Sequence, residues 1–294
     1  MGIIPPSTFA GTGYWAVILG GSSGMGLASA HKLASEGMNL AILHRDRRAT
    51  TRTFVEEDVA RMQQYGISVF YQNKDGISPD SIQPFLEDLK QEMKEGESVR
   101  LLLHSMSRGS LRLMVEPPEA TSIPEGMFSS VEQDRNERLS QSGAILTRQD
   151  YLLTMEAMAL SLFDWVKALH EMKLFAADAR ILGLTSEGNQ KAWHNYAAVS
   201  AAKASLEAIS RSIALEFAPF GIRSNILQPG VTDTPSLRMI PGQETLKAQA
   251  TFKNPFRRLT TPQDVANAVY LMCRDEAAWI NGAIIPVDGG EKNS

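Results

Sequence analysis

Tyr196 and Lys203 stand seven residues apart in the stretch NYAAVSAAKASLEA, Asn195 to Ala208. On one helix that spacing returns both side chains to nearly the same face, displaced by about 20° and about 10 Å along the axis. A phenol so placed can donate a hydrogen bond to a carbonyl oxygen. An ammonium beside it favours the negative charge that develops there. The spacing alone is common, so its meaning depends on what else the chain brings near. That context begins with GGSSGMG, which runs from Gly20 through Ser22, Ser23, Gly24 and Met25 to Gly26, directly after the apolar run Trp15 to Leu19. Glycines permit a sharp turn there and let backbone N–H groups and a helix N-terminus approach a pyrophosphate with no Cβ in the way. The lysine-containing phosphate loop of nucleoside triphosphatases does not occur in the sequence.

Positioning these groups requires an alternating framework, and the periodicity supplies one. Strands are expected at Trp15 to Leu19, Asn39 to Leu43, Ile67 to Tyr71, Val99 to His104, Arg180 to Thr185, Ile222 to Leu227 and Ala283 to Val287. Helical patterns intervene at Gly26 to Glu36, Thr53 to Tyr65, a stretch through Lys94 with Ser78 as cap and Pro79 at its first position, Thr147 to Lys173, Tyr196 to Phe217 and Pro262 to Arg274. Thr147 and Asp150 resemble a capping box. Strands alternating with helices imply one parallel sheet covered on both faces with right-handed crossovers. Residues 108–146 break the rhythm, being polar and holding Pro117, Pro118 and Pro124. They read as an insertion that is either a lid or disordered.

The chain has 294 residues, 43% hydrophobic and 21% charged, with a formal net charge of -4. That excludes disorder as its main state and offers no general attraction to nucleic acid or anionic lipid. The single Cys273 excludes an intrachain disulfide and a cysteine-based zinc cluster. The histidines at 31, 170 and 194 lack paired ligand spacing, so no metal is expected. No export signal or run of 18 apolar residues is evident, and the expectation is a cytoplasmic protein without membrane contact.

The spacing G-x3-G-x-G is where the sequence comes to resemble the short-chain dehydrogenase/reductase superfamily, from about Trp15 to Gly290. The resemblance implies one Rossmann-type, doubly wound α/β domain over residues 1–294 with a seven-stranded parallel sheet. Its ordinary ketoreductases place a tyrosine four residues before the lysine and a serine about thirteen before the tyrosine; Val199 and Gly183 are read at those positions. The Y-x6-K spacing is instead similar to the enoyl-[acyl-carrier-protein] reductases. His104-Ser105-Met106 looks like their HSI/HSL segment, and PFRRLTTPQDVANAV, Pro255 to Val269, like their later helix entry. A second tyrosine common in that group, ten residues before the first, is replaced by Ser186.

The resemblance further implies how a nicotinamide cofactor would be held. The turn from Gly20 to Gly26 would take its pyrophosphate. Where NAD-preferring members carry an acid stands His44, and Arg45 follows, so pairing with a 2′-phosphate favours NADPH. Arg47 and Arg48 add charge, and Asp46 opposes it. Asp75 and Gly76 look like the segment that meets adenine. Ser105 and Met106 would line the cleft, and Gly230, Thr232 and Thr234 resemble the loop that meets the nicotinamide amide. Lys203 would hold ribose hydroxyls, and Tyr196 would stabilise an enolate. The expectation is an NADPH-dependent reductase of trans-2-enoyl thioesters in fatty acid biosynthesis, with residues 231–256 as a substrate-binding loop. The alternatives are a 3-oxoacyl or ketone reductase and a catalytically silent NADP-binding regulator. The resemblance also implies a homotetramer. Arg238, Lys247, Lys253, Arg257 and Arg258 gather where such enzymes meet an acyl carrier protein, or form a solvated charged face.

Overall fold

The computed structural model describes residues 8–46, 49–116 and 145–294. Arg47, Arg48 and most of the expected lid lie outside the described residues. Short runs such as WAVIL and RLLLH are apolar on both sides, so the strands they form are stable only between two helical layers. The chain accordingly runs β1 (Tyr14–Leu19), α1 (Gly24–Ser35), β2 (Asn39–His44), α2 (Ala49–Gln63), β3 (Val69–Asn73), α3 (Pro79–Glu92) and β4 (Ser98–His104). After the insertion come α4 (Arg148–Met155), a π turn (Glu156–Leu160), α5 (Ser161–Glu171) and β5 (Phe175–Leu184). The chain closes with α6 (Ala197–Glu216), β6 (Ile222–Pro229), α7 (Gln243–Lys253), α8 (Pro262–Cys273) and β7 (Ile284–Val287).

The seven strands form one sheet in the order β3-β2-β1-β4-β5-β6-β7, and every neighbouring pair is parallel. Alternation along β1 sorts the core. Trp15, Val17 and Leu19 pack with Phe85 and Trp165 on one face, while Ala16 and Ile18 pack with Leu33, Val265 and Val269 on the other. Strand order reverses between β1 and β4, where Leu19 lies beside His104. A crevice opens at the carboxyl ends of strands at such a reversal, so both chemical motifs emerge beside it.

Several boundaries depart from the sequence reading for local reasons. Tyr196 is not in the helix: it occupies the N-cap of α6 at φ -108° and ψ 1°, so the helical-face argument holds only approximately. The long helix expected from 147 to 173 opens with a complete Thr147–Asp150 capping box, but the π turn interrupts it and it ends at Glu171. Ser78 precedes Pro79 at the start of α3 without a side-chain capping bond. β5 starts five residues early, because Phe175 pairs with Val99 ahead of an irregularity in the register. α7 lies inside the expected 231–256 loop; Ala250 is its buried residue, too little apolar periodicity to announce a helix.

Candidate active site

The turn after β1 is built for close backbone contact. Gly20 has φ +83°, and a Cβ at Gly26 would stand 2.3 Å from the Gly20 carbonyl oxygen. Ser23 is the N-cap of α1, yet its side chain caps none of the helix amides and the first turn holds no acid. In contrast, α4 and α8 both carry reciprocal Thr/Asp boxes. The α1 N-terminus is thus left for an outside anion, and the residues present fit a pyrophosphate. Gly26→Ala must push the Gly20 carbonyl aside at a strain of about 1–3 kcal/mol. The expected result is about tenfold or more weaker binding of a reduced dinucleotide in a fluorescence titration, with the circular dichroism spectrum unchanged.

Across the crevice, Thr234 stands beside Gly24, where a Cβ would come within 3.4 Å of its Cγ2. The Thr232 hydroxyl donates to the Gly230 carbonyl at 2.9 Å, and Thr234 Oγ1 accepts from the Leu237 amide at 3.2 Å. Ser105 is fixed by its amide on the Leu19 carbonyl at 3.0 Å. Ser22 is half-buried in the turn, and Met25 faces the cavity described below.

The residues expected to meet adenosine instead meet one another. Arg45 pairs with Asp75, and Arg108 lies 3.8 Å from the same carboxylate. Gly76 offers its carbonyl to Trp165 Nε1 at 2.8 Å. His44 is buried, with Nδ1 2.8 Å from Asp46 and Nε2 lacking a partner. A cavity of about 410 Å³ lies among Arg45, Asp75, Gly76 and Arg108.

A larger cavity of about 970 Å³ shares Arg45, Met106 and Arg108 with the first and extends to Tyr196 and Lys203. Both ends of the expected pair are buried, at 8% and 7% exposure. Asn195, at φ +63°, turns the chain into α6 just before Tyr196. The phenol donates to Ser186 Oγ at 3.2 Å, and burial pushes its pKa up while the serine bond opposes the shift. Lys203 Nζ donates to the Leu184 carbonyl at 2.8 Å and to that of Met106 at 3.5 Å. Burial lowers its pKa to about 8, with the Glu207 carboxylate acting in the other direction. Burial and the nearby lysine charge drive His104 down to about 3, so it is neutral, with Nε2 2.8 Å from Ser161 Oγ. Among the described residues no group of His, Cys, Asp and Glu could hold a metal ion.

The sequence reading gives Ser186 only as the replacement for a second tyrosine and does not single out Glu207. The ketoreductase frame places its serine thirteen residues before Val199, which is Ser186; Gly183 comes from counting back from Tyr196 and lies inside β5. Ser186 therefore keeps that serine position beside a tyrosine in the enoyl-reductase position. Glu207, one turn beyond Lys203, lies within the run Asn195 to Ala208, but its burial emerges only from the packing.

The family model described as "Enoyl-(Acyl carrier protein) reductase" matches residues 132–292. Enoyl-[acyl-carrier-protein] reductase [NADH] FabI of Escherichia coli (strain K12) is 31% identical over 145 residues, which are 49% of this chain and 55% of that protein. 3-oxoacyl-[acyl-carrier-protein] reductase MabA of Mycobacterium avium is 38% identical over 110 residues, 37% of this chain and 40% of that one. The chain spans about half or less of the length of the curated relatives it matches. The crystal structure of FabI from Candidatus Liberibacter asiaticus superposes with a TM-score of 0.79 at 18% identity, covering 98% of each chain.

Proposed function

Because the chain belongs to the short-chain dehydrogenase/reductase family, in the group described as enoyl-(acyl carrier protein) reductase, we propose that it is an NADPH-dependent reductase of trans-2-enoyl thioesters. The observation that carries this reading is the opening of Tyr196 and Lys203 onto one cavity, with apolar Val199 where a ketoreductase tyrosine would stand. A bound reduced nicotinamide supplies the hydride in such a reaction. The chain's own part is electrostatic. Hydride arriving at the β-carbon leaves negative charge on the thioester oxygen, and the Tyr196 hydroxyl donates to that oxygen as the charge grows. A proton taken up from solvent at the α-carbon completes the reduction. With its pKa raised by burial, the phenol stays protonated and able to donate at neutral pH. Lys203, anchored on the Leu184 carbonyl, grips ribose hydroxyls and lends its charge to the tyrosine side.

Arg45 meets the 2′-phosphate. Its pair with Asp75 is partly exposed and therefore weak enough for a dianion to displace. The turn from Gly20 to Gly26 binds the pyrophosphate, and Thr232 and Thr234 border the nicotinamide. Leu111, Met158, Trp193 and Ile240 give the cavity an apolar wall for an acyl chain. No described helix is long and apolar enough to cross a membrane. Arg238 and Arg258 are already paired with Asp233 and Asp264, which leaves less charge for an acidic carrier than the sequence suggests. The reading includes a homo-oligomer that covers exposed Leu153, Leu160 and Phe163 on the α4–α5 stretch.

One observation favours a second reading, reduction of a 3-oxoacyl thioester or ketone: Ser186 is hydrogen-bonded to Tyr196 and can offer a second donor to a carbonyl oxygen. An absorbance assay at the nicotinamide band separates the two. With matched crotonyl and acetoacetyl thioesters, on coenzyme A and on carrier protein, NADPH should be consumed faster than NADH and on the enoyl substrates. Consumption on the acetoacetyl substrates alone establishes the second reading.

A further inference from the structure

We propose that Glu207 is a positioning residue of this site: its buried carboxylate fixes the turn that carries Ser186 and keeps Lys203 charged. The inference rests on the roles given above to Tyr196 and Lys203. Glu207 is only 7% exposed in the middle of α6, an expensive place for a carboxylate without compensation. Its compensation comes from both ends of one turn. Glu207 Oε1 accepts a hydrogen bond from Thr185 Oγ1 at 2.6 Å and another from Asn189 Nδ2. Between those donors lie Ser186, which accepts from the Tyr196 hydroxyl, and Gly188, against which the Tyr196 ring is packed. Thr185 also directly follows Leu184, whose carbonyl holds Lys203 Nζ. A single carboxylate oxygen thus ties the strand end beneath the lysine to the turn beside the phenol.

Charge links the same groups. Glu207 follows Lys203 by four residues, about one turn and 6 Å of rise on the same helical face. The titratable groups around the ammonium are Glu207 on its own helix, Tyr196 at the helix start and His104 on β4. Asp46, Glu187, Asp288 and Glu291 line the same cavity, with the cations Arg45, Arg108, Arg112 and Lys292. Tyr196 and His104 are neutral near pH 7, and Glu207 is the anion that opposes the lowering of the lysine pKa by burial.

The test follows the dissociation constant of NADPH against pH by nicotinamide fluorescence, beside turnover. In the wild type, binding should weaken as pH rises through about 8, where Lys203 loses its proton. Glu207→Gln keeps the size and an acceptor but removes the charge, so this alkaline limb should move about one pH unit lower, with the far-ultraviolet spectrum unchanged. Glu207→Asp keeps the charge but shortens the reach to Thr185; its limb should stay in place while plateau turnover falls. Coincident limbs for wild type and Glu207→Gln overturn the proposal, however much activity is lost. If Glu207→Gln does not fold, Glu207→Asp decides, and a limb displaced from the wild type overturns it. Absent turnover on every thioester removes the reductase reading, yet the binding limb still tests Glu207. Wild type that binds neither NADPH nor NADH overturns both.

Discussion

Tyr196→Phe is expected to lower turnover of an enoyl thioester by about 10²–10³-fold, the usual loss when one donor to a developing oxyanion is deleted. The dissociation constant of NADPH should stay within about twofold of wild type. The asymmetry follows from where the hydroxyl acts. The hydroxyl donates to Ser186, and the ribose and phosphate contacts proposed above belong to other residues. A donor used only as charge gathers on the thioester oxygen lowers the barrier without strengthening ground-state binding. Phenylalanine keeps the ring that packs against Trp193, with centroids 5.4 Å apart, so the fold has no reason to change. The measurement is kcat beside a direct fluorescence titration. Unchanged kcat would remove Tyr196 from the chemistry, and a parallel collapse of cofactor affinity would make it a structural residue. The alkaline limit of the wild-type profile should belong to Lys203, near 8, because burial moves the phenol away from neutrality.

The parts legible in the sequence were those with a local physical signature. The run Trp15 to Leu19, β-prone, short and followed at once by a glycine turn, reads as a strand and is one. The turn from Gly20 to Gly26 needed glycine for its approach, and Thr147 with Asp150 formed the box their spacing announced. What stayed hidden depends on groups remote in the chain. That Arg45 and Asp75 find each other is decided by the adjacency of β2 and β3. Nothing in the spacing marks Glu207, because only folding delivers Thr185 and Asn189 to it. Ser186 was within reach of counting, and the count failed because the tyrosine and serine belong to different spacing patterns within one family. Tyr196 fell outside its helix because a left-handed Asn195 ends the preceding turn, a conformation that spacing does not reveal.

Toward the amino-terminal ends of the inner strands β4, β5 and β6, Asp178→Ala should cost about 3 kcal/mol of stability and leave the chemistry of surviving folded protein intact. Arg100 and Arg180 are 1% and 0% exposed, an arrangement tolerable only if both guanidiniums are satisfied. They donate to the carbonyls of Cys273 and Met272, capping the C-terminus of α8, and both pair with Asp178, which Arg223 also reaches. Removing one partner of a buried pair typically costs about 3–5 kcal/mol. The lower end applies because Asp178 is itself 34% exposed and Arg100 retains Asp275 at 2.7 Å. At roughly 2 °C per kcal/mol for a chain of this size, the melting temperature should fall by about 6 °C. The pH dependence has a definite sign. Burial alone would raise the Asp178 carboxyl, but hydrogen bonding from Arg180 and the charges of the three arginines outweigh it and hold the pKa below its ordinary value. A depressed folded pKa contributes stability that is complete above the unfolded value, about 3.9, and is lost as pH falls through the folded one. The deficit of Asp178→Ala should therefore be full at pH 7 and shrink below about pH 4. An equal melting temperature at pH 7 would mean that the guanidiniums are satisfied without this carboxylate. α8 packs its Val265 and Val269 into the same apolar layer as Leu33 of α1. The arginine cluster thus steadies the helix layer that begins at the glycine turn from Gly20 to Gly26.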